Sequence, residues 1–197
     1  LYFSFPKVEK GNTVEDDFAE EEVQVATTIK NPEVIEYMEK VGNFLKTLKG
    51  QNGETYVGGV TSIVDVLKKI GSVAFKTESL PKTQNEISQY MFLYESGDVK
   101  RGRDMWKLIT KGDSQEAQMW VHFKSGDNQN MITVENALAD FVSKNPLPVI
   151  TDENGKQVPL DIQWSGLMHI NKVWQAAMVS GMRDALLGSF TIVFFMM

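Results

Sequence analysis

The chain has no cysteine and only two histidines, His122 and His169, in 197 residues. Without thiols there is no disulfide scaffold, no thiolate metal site and no cysteine nucleophile, while the redox compartment stays open. Neither histidine has a second one at i+3 or i+4, so zinc-ligand spacing is missing, and no metal and no cofactor is expected. Basic charge is also scarce: 20 Lys and Arg against 26 Asp and Glu leave a net charge of -6 and a pI near 5.0. The cations are scattered, which argues against a nucleic-acid partner. Gly58-Gly59 is not followed by Gly-Lys-Ser/Thr, so no phosphate-cradling loop is present. A secretory leader and internal repeats are absent, and no charge-free apolar run reaches the about 20 residues of a complete bilayer span.

The nearest approach to such a run is the end of the chain. Residues 185–197 carry no charge and follow Arg183-Asp184 directly. Apolar runs of this length are commonly buried core helices. Three details favour the opening part of a membrane span instead: Trp174 lies a few turns earlier, Arg183 and Asp184 stand at the entrance, and Phe194-Phe195-Met196-Met197 leaves no polar face. Trp174, Arg183 and Asp184 are therefore the expected membrane-interface residues. At the other end, Leu1-Tyr2-Phe3 reads as a remnant of a tag, or Leu1-Tyr2-Phe3-Ser4-Phe5 as the exit of a preceding span. The acidic run of Glu15, Asp16 and Asp17 with Glu20, Glu21 and Glu22 reads as a solvated linker, because a calcium loop needs alternating oxygen ligands and a turn glycine.

Between the ends, 42% hydrophobic residues and a mean hydropathy of -0.23 indicate a globular chain long enough for one sizeable core. Residues 22–28 alternate in the manner of a half-buried strand. Asn31-Pro32 then caps a helix whose apolar stripe is Val34, Ile35, Met38, Val41, Leu45 and Leu48. A short strand over 55–61 follows. Capping boxes at Ser62/Asp65 and Thr83/Glu86 start two further helices, and a third is expected over 104–110. The clearest strand spans 116–124, with Ala117, Met119, Val121 and Phe123 on one face and Gln118, Trp120, His122 and Lys124 on the other. A helix over 131–143 carries Val134, Leu138, Phe141 and Val142. A last strand then places Val158, Leu160, Ile162 and Trp164 inward, and Gly166 opens a long final helix.

This order predicts an α+β fold of the ferredoxin-like split βαβ type: a four-stranded antiparallel sheet with two helices, and a helical insertion between strands 2 and 3. The expected organisation is a linker over 1–21, a domain over 22–166 with its insertion at 62–111, and a membrane-entering helix over 167–197. No catalytic constellation is legible, since neither histidine has a local nucleophile and carboxylate. An enzyme is therefore not expected. The chain is instead rich in adaptable apolar side chains, with ten Met, eleven Phe, five Tyr and four Trp. Most read as core. Met105, Trp106, Trp120 and His122 do not, because they share faces with polar or charged neighbours, and they are the expected substrate-facing residues.

Asn31-Pro32-Glu33-Val34-Ile35-Glu36-Tyr37-Met38, leading to the Val57-Gly58-Gly59-Val60 strand and the Ser62-Ile63-Val64-Asp65-Val66-Leu67-Lys68 helix, resembles the first extracytoplasmic unit of the resistance-nodulation-division (RND) exporters. The nearest branch is the MMPL-type, or hydrophobe/amphiphile, group. Ile162-Gln163-Trp164-Ser165-Gly166-Leu167-Met168-His169, running on to Arg183 and the apolar end, is similar to that family's last porter strand and the helix that follows it. The resemblance implies a porter domain with a ferredoxin-like fold on the periplasmic side of the membrane, within a twelve-span, two-halved, proton-driven exporter of hydrophobic or lipid-like molecules. It also implies contact with a second porter loop of the same parent and with further copies, and it puts the proton-carrying residues in spans outside this sequence. The alternative reading is a non-transporting extracytoplasmic interaction or sensor domain whose partner surface surrounds Trp120.

Overall fold

The computed structural model describes residues 1–5, 29–50, 52–77, 79–97, 107–109, 116–151 and 157–197. The expected strand at 22–28, the acidic linker, Met105 and Trp106 lie outside the described residues. What is described is a mixed α and β protein with five helices and several small antiparallel sheets.

Helix α1, Pro32–Thr47, starts where the sequence asks it to: Asn31 accepts a 2.9 Å hydrogen bond from the Glu33 N–H, and Pro32 needs no partner for a missing donor. Its stripe of Val34, Ile35, Met38, Val41 and Leu45 is buried. In α2, Ile63–Ile70, the Asp65 carboxylate accepts from the Ser62 N–H at 2.8 Å, closing the capping box, and Ile63, Val64, Leu67 and Ile70 are buried. A π-helical turn, Gly71–Phe75, ends on Lys76 in the left-handed region and leads to α3, Gln84–Gly97. That helix is opened by the reciprocal Thr83/Glu86 pair. Helix α4, Asn128–Lys144, is capped by Asp127 and lies against α1, where Phe44 and Phe141 stack at 4.4 Å and the Tyr37 hydroxyl donates to the Asn145 carbonyl at 2.8 Å.

Strand β1, Tyr2–Ser4, is the centre of a three-stranded sheet, antiparallel to β3, Glu116–Gln118, on one side and β7, Asp161–Gln163, on the other. Phe3 faces Ala117 and Ile162 in register and is fully buried, and Leu1 and Phe5 nearby are buried too. Residues 1–5 thus join the core, with Leu1, Phe3 and Phe5 in the hydrophobic cluster. The pairing continues one step further, because Leu1 and Met119 exchange both backbone hydrogen bonds at 2.9 and 2.8 Å. Beyond Met119, β4, Trp120–Phe123, leaves β1 and pairs antiparallel with β2, Val57–Thr61. The long strand expected at 116–124 therefore serves two sheets, one through each half.

The strand expected over 158–164 is likewise divided. Strand β6, Gln157–Pro159, forms a hairpin with β5, Val149–Thr151, and β7 joins β1. Pro159 cannot donate to a continuing ladder, and the chain changes partners there. Residues 107–109 are not helical as expected: Ile109 bridges Ala117, and the Gln118 N–H donates to the Leu108 carbonyl at 2.8 Å. One hydrophobic cluster joins the sheets to α1–α4.

Candidate functional site at the root of the C-terminal helix

Helix α5, Leu167–Met196, is 30 residues long, and the whole apolar window that makes it long enough to cross a membrane is unburied. Phe194, at 78% exposure, and its neighbours pack on nothing in the globule. The hydroxyls in this stretch are satisfied within the helix: Ser189 donates to the Ala185 carbonyl at 2.9 Å and Thr191 to the Leu187 carbonyl at 2.8 Å. With both hydroxyls met in this way, the charge-free residues 185–197 present a mainly hydrocarbon surface. Arg183 and Asp184, both exposed, pair with each other at 3.0 Å, and Trp174 is exposed on the same helix. The three expected interface residues thus share one unburied element.

Among the described residues, the side-chain hydrogen bonds and ion pairs between α5 and the domain lie in its first turns and go to polar side chains of α4. The Glu135 carboxylate, 11% exposed, accepts from His169 Nδ1 at 2.9 Å through one oxygen and from the Lys172 ammonium through the other. Asn128 pairs with Gln175 one turn further along. A carboxylate this enclosed is tolerable in water-poor surroundings because both its oxygens are matched by donors.

Beside this seam lies a cavity of about 290 Å³, walled by Trp120, Met131 and Trp164 on the domain side and by Leu167 and Met168 of α5. On the open side of the sheet a shallower cleft of about 440 Å³ brings His122 and Trp120 together with Thr61, Val66 and Tyr94. His122 lies 3.5 Å from the Thr61 hydroxyl and is exposed, as is Trp120. Of the expected substrate-facing residues, Trp120 and His122 therefore share one face, and Trp120 lines both hollows. Among the described residues no group of three or more His, Cys, Asp or Glu side chains is placed to hold a metal ion.

Sequence reasoning missed Glu135, Lys172 and the Asn128–Gln175 pair. Their partners are 34 to 47 residues apart, and no local spacing announces such pairings. It also missed Tyr2, whose hydroxyl accepts from Gln118 at the cavity wall. A scan against protein-family models and searches of curated proteins and of solved structures return no match to this chain.

Proposed function

We propose that this chain is the extracytoplasmic porter domain of an RND/MMPL-type, proton-driven exporter of hydrophobic or lipid-like substrates. The observation that carries the reading is the exposure of α5. A helix whose apolar window is long enough to cross a bilayer, is unburied and has its hydroxyls satisfied within the helix fits a membrane, and so makes the domain a body attached to one. Strand order supports the same reading. Taken as one strand interrupted at Met119, β3 and β4 give the sequence β7, β1, β3/β4, β2, with every neighbouring pair antiparallel. Among the described strands the pairing runs in separate sheets of three, two and two; on the proposed reading β3 and β4 act as one strand, and the resulting order would be that of a split βαβ, ferredoxin-like fold.

In this reading the domain lies on the periplasmic side and contacts a second porter loop of the same parent and further copies of it. It needs no cofactor and performs no covalent chemistry; it moves a substrate across apolar side chains. The intact gene product tests the proposal. Purified into proteoliposomes, it should move a fluorescent lipid analogue when an inward proton gradient is imposed and stop when the gradient is collapsed. A reading frame that holds no further spans on either flank would overturn the proposal.

One observation favours the second reading, an interaction or sensor domain. Trp120, a large aromatic at 53% exposure, is the kind of residue that anchors protein partners. Parent protein that moves no substrate, yet loses a bound partner on Trp120→Ala, would establish it.

A further inference from the structure

We propose that Gly166 and the Glu135–His169–Lys172 cluster form a hinge and a lock that set the angle between α5 and the domain. Gly166 precedes α5 with φ 104° and ψ 176°, a conformation essentially closed to residues with a side chain, and an added Cβ would meet nothing within 4 Å. A side chain at this position would touch nothing, so something beyond Gly166 itself fixes the direction of the chain. That something is the seam on α4, where Glu135 takes one donor from His169 and another from Lys172, with Asn128 and Gln175 one turn on. The polar groups meeting there are one carboxylate from α4 and an imidazole and an ammonium from α5.

The apolar remainder of α5 makes no compensating contact, so the lock acts on a long arm. Ser189 lies about 35 Å along the helix from Gly166, and a swing of about 10° at the hinge displaces it by about 6 Å. Leu167 and Met168 move with the arm, and they form one wall of the 290 Å³ cavity. Releasing the lock therefore changes the cavity and the helix direction together. A role in coupling membrane movement to substrate passage rests on the porter reading; the lock itself does not.

The native absence of cysteine permits a direct test. Spin labels on Ser143→Cys in α4 and Ser189→Cys in α5 of the full chain, held in detergent micelles, report the inter-helix distance by pulsed dipolar spectroscopy. The unmodified seam should give one narrow distribution. Glu135→Gln should widen it partially and Glu135→Ala most, by about 6 Å or more, with the unfolding temperature of the domain unchanged. Should Glu135→Ala fail to fold, the more exposed pair His169→Asn with Lys172→Gln must produce the same widening. A distribution unaltered by these changes, or one already broad before them, overturns the proposal. A working lock in a parent that transports nothing would defeat the porter reading alone, and transport without a lock would defeat this inference alone.

Discussion

Replacing Phe3 by Ala tests whether the first five residues are structural. Phe3 is the central residue of the central strand, opposite Ala117 and Ile162, and its ring is wholly excluded from solvent. Truncating a buried Phe removes both transfer free energy and the contacts around the resulting cavity, about 3–5 kcal/mol. Folded proteins are stable by about 5–15 kcal/mol in total, so Phe3→Ala should remove about a fifth of it or more. For a chain of this length that lowers the melting temperature by about 6–20 °C. Urea unfolding of the full chain in micelles, followed by tryptophan emission, reads the loss as a shift of the midpoint at constant slope. Tyr2→Phe is the matched control: it removes one partly buried hydrogen bond from Gln118 and should cost about 1 kcal/mol or less. Were Phe3→Ala to cost no more than that control, residues 1–5 would not be part of the core and the sheet built on β1 would be wrong.

Gly42→Ala should stabilise the domain by about 0.5–1 kcal/mol, read in the same urea assay, because the added methyl meets Val60 and Met119 at ordinary contact distances of 3.6 and 3.7 Å inside helix α1. Gly166→Ala should destabilise by about 1–3 kcal/mol, since its backbone conformation is closed to alanine; amide exchange should quicken in the first turns of α5 and nowhere in α1. When the 197-residue polypeptide is prepared by itself, burial lowers its Leu1 amino group from 8.0 to about 6. The unfolded chain therefore binds the extra proton between those values, and stability should rise as pH goes from 6 to 8, by up to about 2–3 kcal/mol. Acetylating that amine should flatten the rise, as measured by unfolding midpoints at pH 5.5 and 8.5.

The helices were the legible part of this fold, because capping and periodicity are local. Asn31-Pro32, Ser62/Asp65 and Thr83/Glu86 each start a helix where their chemistry requires; Val34, Ile35, Met38, Val41 and Leu45 of the α1 stripe and Val134 and Leu138 of the α4 stripe are buried, while Leu48, Phe141 and Val142 are half-buried. Strand faces were legible too: Ala117 and Met119 are buried while Trp120 and His122 are exposed. Partners were not. Alternation says which face of 116–124 is inward, but nothing local says that Met119 hands the strand from β1 to β2. Three short residues at 2–4 gave no periodicity from which a central strand could be read. The same limit hid the seam under α5, since Glu135 looks like any carboxylate on a helix until His169 and Lys172 are brought to it.

The most direct test of the account is the depth of α5 in a bilayer. Single cysteines placed along the helix of the lipid-reconstituted chain, spin-labelled, report exposure to oxygen, which concentrates in hydrocarbon, against a water-soluble nickel chelate. Labels at Leu187, Phe190 and Phe194 should favour oxygen, with the preference reversing by Trp174 and fully aqueous behaviour at Asn171. Aqueous behaviour along the whole helix, or burial of Phe190 and Phe194 against protein rather than lipid, would contradict the claim that this helix belongs in a membrane.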